Sequence, residues 1–231
     1  MDNDNRSIFF YHMRKAGDTS LRRLSGNHCL AVPRELEVIE GWSLNGENHE
    51  AFLKSYFSII CLRNPIDRIK SSYKYEGRWK QQAEIRDHQT AKPFKQWVSE
   101  VSALNPRSYL WECVENYYIK SLIGYPKLGS KNIGETELKV AMEVLNSFNM
   151  VLICEKLSSD ETSTLLKSEL DVTLPISNIV FPTKAPSPKE SDHEIFNPDT
   201  IKHLSEANEL DFRLYEYAKL LFSDRVKALS K

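Results

Sequence analysis

Long apolar runs, clustered metal-type side chains and an excess of either charge are all missing from this 231-residue chain. The longest mostly apolar stretch, Tyr56 to Leu62 with Ser58 inside it, is far short of the roughly 20 residues a helix needs to cross a bilayer. The opening Met1-Asp2-Asn3-Asp4-Asn5-Arg6 is polar and acidic, with no cationic region ahead of an apolar stretch, so no secretory signal is read there. A cytoplasmic chain with no membrane span is expected. The four cysteines, Cys29, Cys61, Cys113 and Cys154, fall at no metal-ligand spacing and are expected to be reduced core residues, with no bound metal. A formal net charge of −1 argues against a general nucleic-acid or membrane-surface binder. No internal repeat is visible.

Apolar residues, at 41%, are sufficient for a real core. The length and the distribution of elements predict a single domain over residues 1–231. Strands are predicted at Ile8–His12, His28–Val32, Phe57–Leu62 and Met150–Cys154. The first, third and fourth are nearly continuous apolar runs, as for strands buried on both faces of a parallel sheet. Helices are predicted at Thr19–Leu24, Pro65–Glu76, Pro93–Ala103, Tyr109–Leu122, Glu135–Asn146, Ser158–Leu170 and, with a break, Pro198–Phe222. Such alternation implies an α/β fold with a mostly parallel central sheet flanked by helices. A segment rich in proline, about 174–197, reads as a long loop inside the domain.

Two stretches carry the functional information. In Phe9-Phe10-Tyr11-His12-Met13-Arg14-Lys15-Ala16-Gly17-Asp18-Thr19-Ser20-Leu21, an apolar strand runs into a tight turn that opens a helix. That layout suits an anion: backbone N–H groups point at the charge, Gly17 permits close approach and Lys15 neutralises it. In Ile59-Ile60-Cys61-Leu62-Arg63-Asn64-Pro65-Ile66-Asp67-Arg68-Ile69-Lys70-Ser71-Ser72-Tyr73, a buried strand again ends in a cation, and Pro65 suits a first helical turn. Both cations fall at carboxyl ends of strands, where parallel sheets bind ligands. Local charge agrees, with Arg14, Lys15, Arg22 and Arg23 against Asp18 in residues 14–23. Two such sites suit a ligand with two separate anionic groups.

The Lys15-x-Gly17-x-Thr19-Ser20-Leu21 turn resembles the 5′-phosphosulfate loop of sulfotransferases that use 3′-phosphoadenosine 5′-phosphosulfate (PAPS). Leu62-Arg63-Asn64-Pro65-x-x-Arg68-x-x-Ser71-x-Tyr73 resembles their 3′-phosphate motif. Weaker similarity continues through Asn116-Tyr117-Tyr118, through 150–157 and through 208–215, and the last two stretches resemble a late core strand and the C-terminal helix of the carbohydrate sulfotransferase branch. The resemblance implies a P-loop-like three-layer fold and in-line transfer of a sulfuryl group from PAPS to an acceptor hydroxyl, on a carbohydrate or a small metabolite. It implies that Lys15, Ala16, Gly17, Asp18, Thr19 and Ser20 line the 5′ loop, and that Arg63 and Ser71 hold the 3′-phosphate. Lys15 would also act in catalysis, stabilising the leaving group. Lys184 on the proline-rich loop is a candidate to close over the 3′-phosphate. Arg68 and Tyr73 are read as structural.

Departures from the family pattern bear on function. Arg14 replaces a usual Pro. Asp18 replaces a usual Gly or Thr, and a carboxylate about 4 Å from an anion costs roughly 1–4 kcal/mol. The frequent Gly-His between the motifs is replaced by Gly41-Trp42, so Glu40 and His49 become the candidates for general base, with His12 a third. Alternative readings are a PAPS-binding module without catalysis and a P-loop kinase. The kinase lacks support, because no Gly precedes Lys15 at the spacing of G-x-x-x-x-G-K-[ST].

Overall fold

The computed structural model describes residues 8–17, 21, 29–31, 53, 56–80, 93–102, 114–123, 133–170 and 196–229. Four strands, β1 (Ile8–Tyr11), β2 (Cys29–Ala31), β3 (Phe57–Leu62) and β4 (Met150–Ile153), form one sheet in the order β2-β1-β3-β4. Every pairing is parallel, with Phe10 opposite Ile59 and Ile60 opposite Val151. All residues of β3 and β4 are buried. A nearly continuous apolar run fits that environment and an alternating one does not, which is why these segments were readable as central strands; the polar member of β3, Ser58, is satisfied by Asn149 Oδ1 at 3.0 Å.

Helices follow as α1 (Pro65–Lys80), α2 (Phe94–Ser102), α3 (Tyr117–Leu122), α4 (Glu135–Asn146), α5 (Asp160–Leu170), α6 (Pro198–Ala207) and α7 (Glu209–Leu229), with a short 3-10 turn at Cys154–Lys156. The chain is therefore an α/β protein with a parallel sheet flanked by helices, as expected. Helix boundaries depart from the sequence reading where side chains compete for backbone groups. Helix α3 starts at Tyr117, because Val114–Asn116 form a turn in which Asn116 adopts a left-handed φ of 41°; the rest of the expected start, 109–113, lies outside the described residues. Asparagine tolerates that conformation better than most residues. Here its amide N–H donates to Asn208 Oδ1 at 2.9 Å, and its side-chain oxygen accepts from Asp211 N at 3.2 Å. Helix α5 starts after Ser159, whose hydroxyl accepts from Thr162 N as a cap.

The break expected in the last helical stretch falls at Asn208. Its side-chain nitrogen donates to the Val114 and Leu204 carbonyls at 2.8 and 2.7 Å. A buried amide satisfied on both sides ties α6, α7 and the approach to α3 together. One apolar cluster surrounds the sheet, with Phe9, Phe10, Ile60, Leu152, Leu145 and Leu214 among its members. A second joins α1, α2 and α6 through Ile69, Trp97, Phe94 and Leu204. Tyr73 belongs to this second cluster, edge-on to Phe94 and Trp97 with ring centroids 5.2 and 5.5 Å away. Its role there is packing. Cys61 and Cys154 are buried free thiols, as core cysteines should be.

Candidate active site

The turn after β1 is bent by two residues with positive φ. The Ala16 N–H donates to the Met13 carbonyl at 3.1 Å, with Lys15 at φ 64° and Gly17 at φ 94°. A left-handed conformation costs a non-glycine residue about 1–2 kcal/mol, so surrounding structure must hold Lys15 in place. Three contacts do so. The Arg14 N–H donates to the Tyr117 hydroxyl at 2.9 Å. The Arg63 guanidinium, through Nη1, lies 3.5 Å from the Lys15 carbonyl. Finally, the Leu21 N–H returns to the Gly17 carbonyl at 3.1 Å, starting helical geometry.

Gly17 is required for a further reason, which the sequence did not show. A Cβ on it would lie 2.6 Å from Leu157 Cδ1, 3.4 Å from Cys154 Sγ and 3.6 Å from Cys61 Sγ. The close approach seen here is of the loop to the core beneath it, in addition to the positive φ. The missing side chain thus seats the loop on the ends of β3 and β4.

The Lys15 ammonium stands 3.9 Å from the centroid of the Tyr75 ring. Tyr75 lies one helical turn beyond Ser71 on α1, so the two share a face. The aromatic face attracts the ammonium and directs it toward the side of α1 that carries Ser71. Tyr75 was not among the residues expected at the site. The i, i+4 spacing from Ser71 was the available signal.

Arg63 follows directly after β3, and both of its backbone groups meet one phenol. Its N–H donates to the Tyr118 hydroxyl at 2.9 Å, and that hydroxyl donates to the Arg63 carbonyl at 2.7 Å. The next residue caps α1: Asn64 Oδ1 accepts from Ile66 N at 3.0 Å and Asp67 N at 3.3 Å. Pro65 occupies the first helical position, where its lack of an N–H costs nothing. The Asn64 N–H is held by Glu155 Oε1 at 2.8 Å, whose other oxygen accepts from the Tyr215 hydroxyl at 2.9 Å. Burial, with the Glu155 charge beside it, pushes the Tyr215 phenol well up, so it stays a donor. Ser71 sits in the second turn of α1, partly buried.

Beneath both loops lies a buried ionic layer. Arg68 is fully buried, with its guanidinium 4.3 Å from the Tyr117 ring centroid and 5.3 Å from that of Tyr118. Asp211, also fully buried, accepts from the Tyr118 and Ile119 amides at 2.9 and 3.1 Å. Burial raises the Asp211 carboxyl above the usual range, while the Arg68 charge and the two amide bonds oppose that rise. Burial likewise lifts the Tyr118 phenol well above its usual range, with Arg68 opposing. Tyr118 therefore remains protonated at any working pH.

Of the residues expected at the site, Lys15, Ala16 and Gly17 form the first turn and Arg63 and Ser71 belong to the second. The structure brings Lys15 and Arg63 into contact. Asp18, Thr19, Ser20, Glu40, His49 and Lys184 lie outside the described residues, as does most of the proline-rich loop. Among the described residues no group of three or more His, Cys, Asp and Glu is placed to hold a metal ion, and no helix is long and apolar enough to cross a membrane. No curated protein matches the chain. The model of the sulfotransferase family matches residues 2–218. With a parallel sheet whose strand tips carry Lys15 and Arg63, and a family match over nearly its whole length, the chain belongs to the sulfotransferase family and is a transferase.

Proposed function

We propose that this chain moves a sulfuryl group from PAPS to an acceptor hydroxyl, on a carbohydrate or a small metabolite. The observation that carries the reading is the meeting of the two motif turns, with Arg63 Nη1 against the Lys15 carbonyl. A donor with anionic groups at both ends of one adenosine needs two cationic turns side by side, and adjacent parallel strands supply them. The donor set fits that nucleotide: a cation and a turn of backbone amides at one tip, a guanidinium and a serine hydroxyl at the other.

In this reading Lys15, Ala16, Gly17, Asp18, Thr19 and Ser20 line the 5′ side, and Arg63 and Ser71 take the 3′-phosphate. Lys184 closes over that phosphate from the proline-rich loop, and residues 1–231 act as one domain. The acceptor oxygen forms a bond to sulfur as the bond from sulfur to the 5′-phosphate oxygen breaks. The acceptor proton passes to a base, Glu40 or His49, and adenosine 3′,5′-bisphosphate leaves. Lys15 neutralises charge growing on the departing oxygen, a contact worth most in the transition state.

The test is transfer of radiolabelled sulfate from PAPS across a panel of sugars, phenols, alcohols and amines, run beside a thermal-shift titration with adenosine 3′,5′-bisphosphate. Stabilisation by the nucleotide together with labelled product is the expected result. Stabilisation without transfer to any acceptor points to a nucleotide-binding module. Absence of both overturns the reading.

A further inference from the structure

Two neighbouring tyrosines on one short helix reach the backbones of two loops that are far apart in the chain. Tyr117 accepts the Arg14 N–H, 103 residues away, immediately before the left-handed Lys15. Tyr118 both accepts from and donates to the Arg63 backbone, 55 residues away. Their rings enclose the buried Arg68 guanidinium, and Asp211 caps the helix that carries them. Tyr11, the last residue of β1, adds its own tie by donating to the Ser121 carbonyl at 2.8 Å.

We infer that Tyr117 and Tyr118 are separate positioning residues for the two ends of the donor: Tyr117 sets the 5′ loop and Tyr118 sets the 3′-phosphate turn. The division follows from which backbone each hydroxyl holds. Without the Tyr117 hydroxyl, the amide before Lys15 loses its partner, and the strained turn loses one of the contacts that fix its shape. Without the Tyr118 hydroxyl, the Arg63 N–H and carbonyl both lose theirs, and the guanidinium at the end of β3 loses its fixed origin. Neither tyrosine need touch the nucleotide. The inference rests on the proposed use of PAPS, because only a ligand with anions at both ends reads the two turns separately.

The experiment compares three nucleotides on the full chain and on Tyr117→Phe and Tyr118→Phe: adenosine 3′,5′-bisphosphate, adenosine 5′-phosphosulfate and adenosine 5′-monophosphate. Calorimetry supplies the affinities and a melt confirms folding. In Tyr118→Phe the bisphosphate should bind about 5- to 10-fold more weakly, the scale of a lost hydrogen bond. The two 5′-only nucleotides should weaken less, and only through the Arg63 contact on the Lys15 carbonyl. In Tyr117→Phe all three should weaken by the same factor, leaving their ratios unchanged. A merely structural role would lower every affinity in both variants and leave no difference in ratio, which would overturn the inference. A wild-type chain that binds none of the three would instead overturn the proposed donor, and the division of labour with it. Should either variant fail to fold, amide hydrogen exchange on the wild-type chain decides. Protected Arg14 and Arg63 amides support the clamp, and free exchange at either removes it.

Discussion

The two turns carry cations at neighbouring strand tips and both are held by distant side chains, yet only one of them is strained. The turn after β3 is unstrained: Asn64 caps, Pro65 occupies the first helical position and the chain keeps ordinary dihedrals, while Tyr118 and Glu155 hold the Arg63 and Asn64 backbone from outside. The turn after β1 has two positive φ angles, one of them at a lysine, and depends on contacts from elsewhere. Tyr117 comes from α3, Arg63 from the end of β3, and Leu157 and Cys154 from beyond β4. In the proposed reading, the turn that takes the 3′-phosphate needs no strained backbone. The turn that must present Lys15 is strained and held by the tertiary structure, as reactive positions often are.

The largest expected effect tests the strained turn directly. Lys15→Ala should lower turnover about 10²- to 10³-fold at saturating donor, the scale seen when one stabiliser of transition-state charge is removed. Lys15→Gly should be as inactive yet at least as stable as wild type in a melt, because glycine adopts φ 64° without steric cost. A destabilised Lys15→Gly would show that the turn is not strained. Next, Gly17→Ala should lose about 2–4 kcal/mol in denaturant unfolding, combining overpacking with a left-handed alanine. Leu157, against which the new methyl would press, is buried and has little room to yield.

Asn64→Ala should cost only about 1 kcal/mol, an ordinary cap loss. If it cost as much as Gly17→Ala, the contrast between an unstrained and a strained turn would fail. A smaller, pH-dependent effect sharpens the role of the buried layer. Tyr118 has a folded-state pKa raised by burial. Its contribution to stability is therefore intact below the unfolded value of about 10 and is lost as pH rises above it. Alkaline melts should show a shallower loss of stability above about pH 10 in Tyr118→Phe than in wild type; parallel curves would place the phenol outside the titrating core.

The sheet was legible in the sequence because β3 and β4 are buried on both faces, and burial on both faces favours nearly continuous apolar runs such as Phe57–Leu62. The start of α1 was legible because Asn64-Pro65 is local chemistry. The left-handed Lys15 was not, since nothing in Met13-Arg14-Lys15-Ala16 marks that dihedral and lysine has no preference for it. Gly17 was singled out for the right turn, but half of the reason for it lies in Leu157, 140 residues later. The tyrosine pair was readable only as a faint similarity, because its work is done through bonds spanning 103 and 55 residues. Helix α3 was drawn through Val114–Asn116 for a related reason: apolar spacing continues upstream, but the Asn208 side chain, at the break between α6 and α7, claims the Val114 carbonyl and the Asn116 N–H.

The central claim is that the strained turn and the capped turn grip opposite ends of one donor nucleotide. A crystal structure with adenosine 3′,5′-bisphosphate bound tests it most directly. The account predicts the 5′-phosphate on the Lys15–Gly17 turn and the 3′-phosphate on Arg63 and Ser71, with Tyr118 still bonded to the Arg63 backbone. A nucleotide that leaves either turn without a phosphate would contradict it.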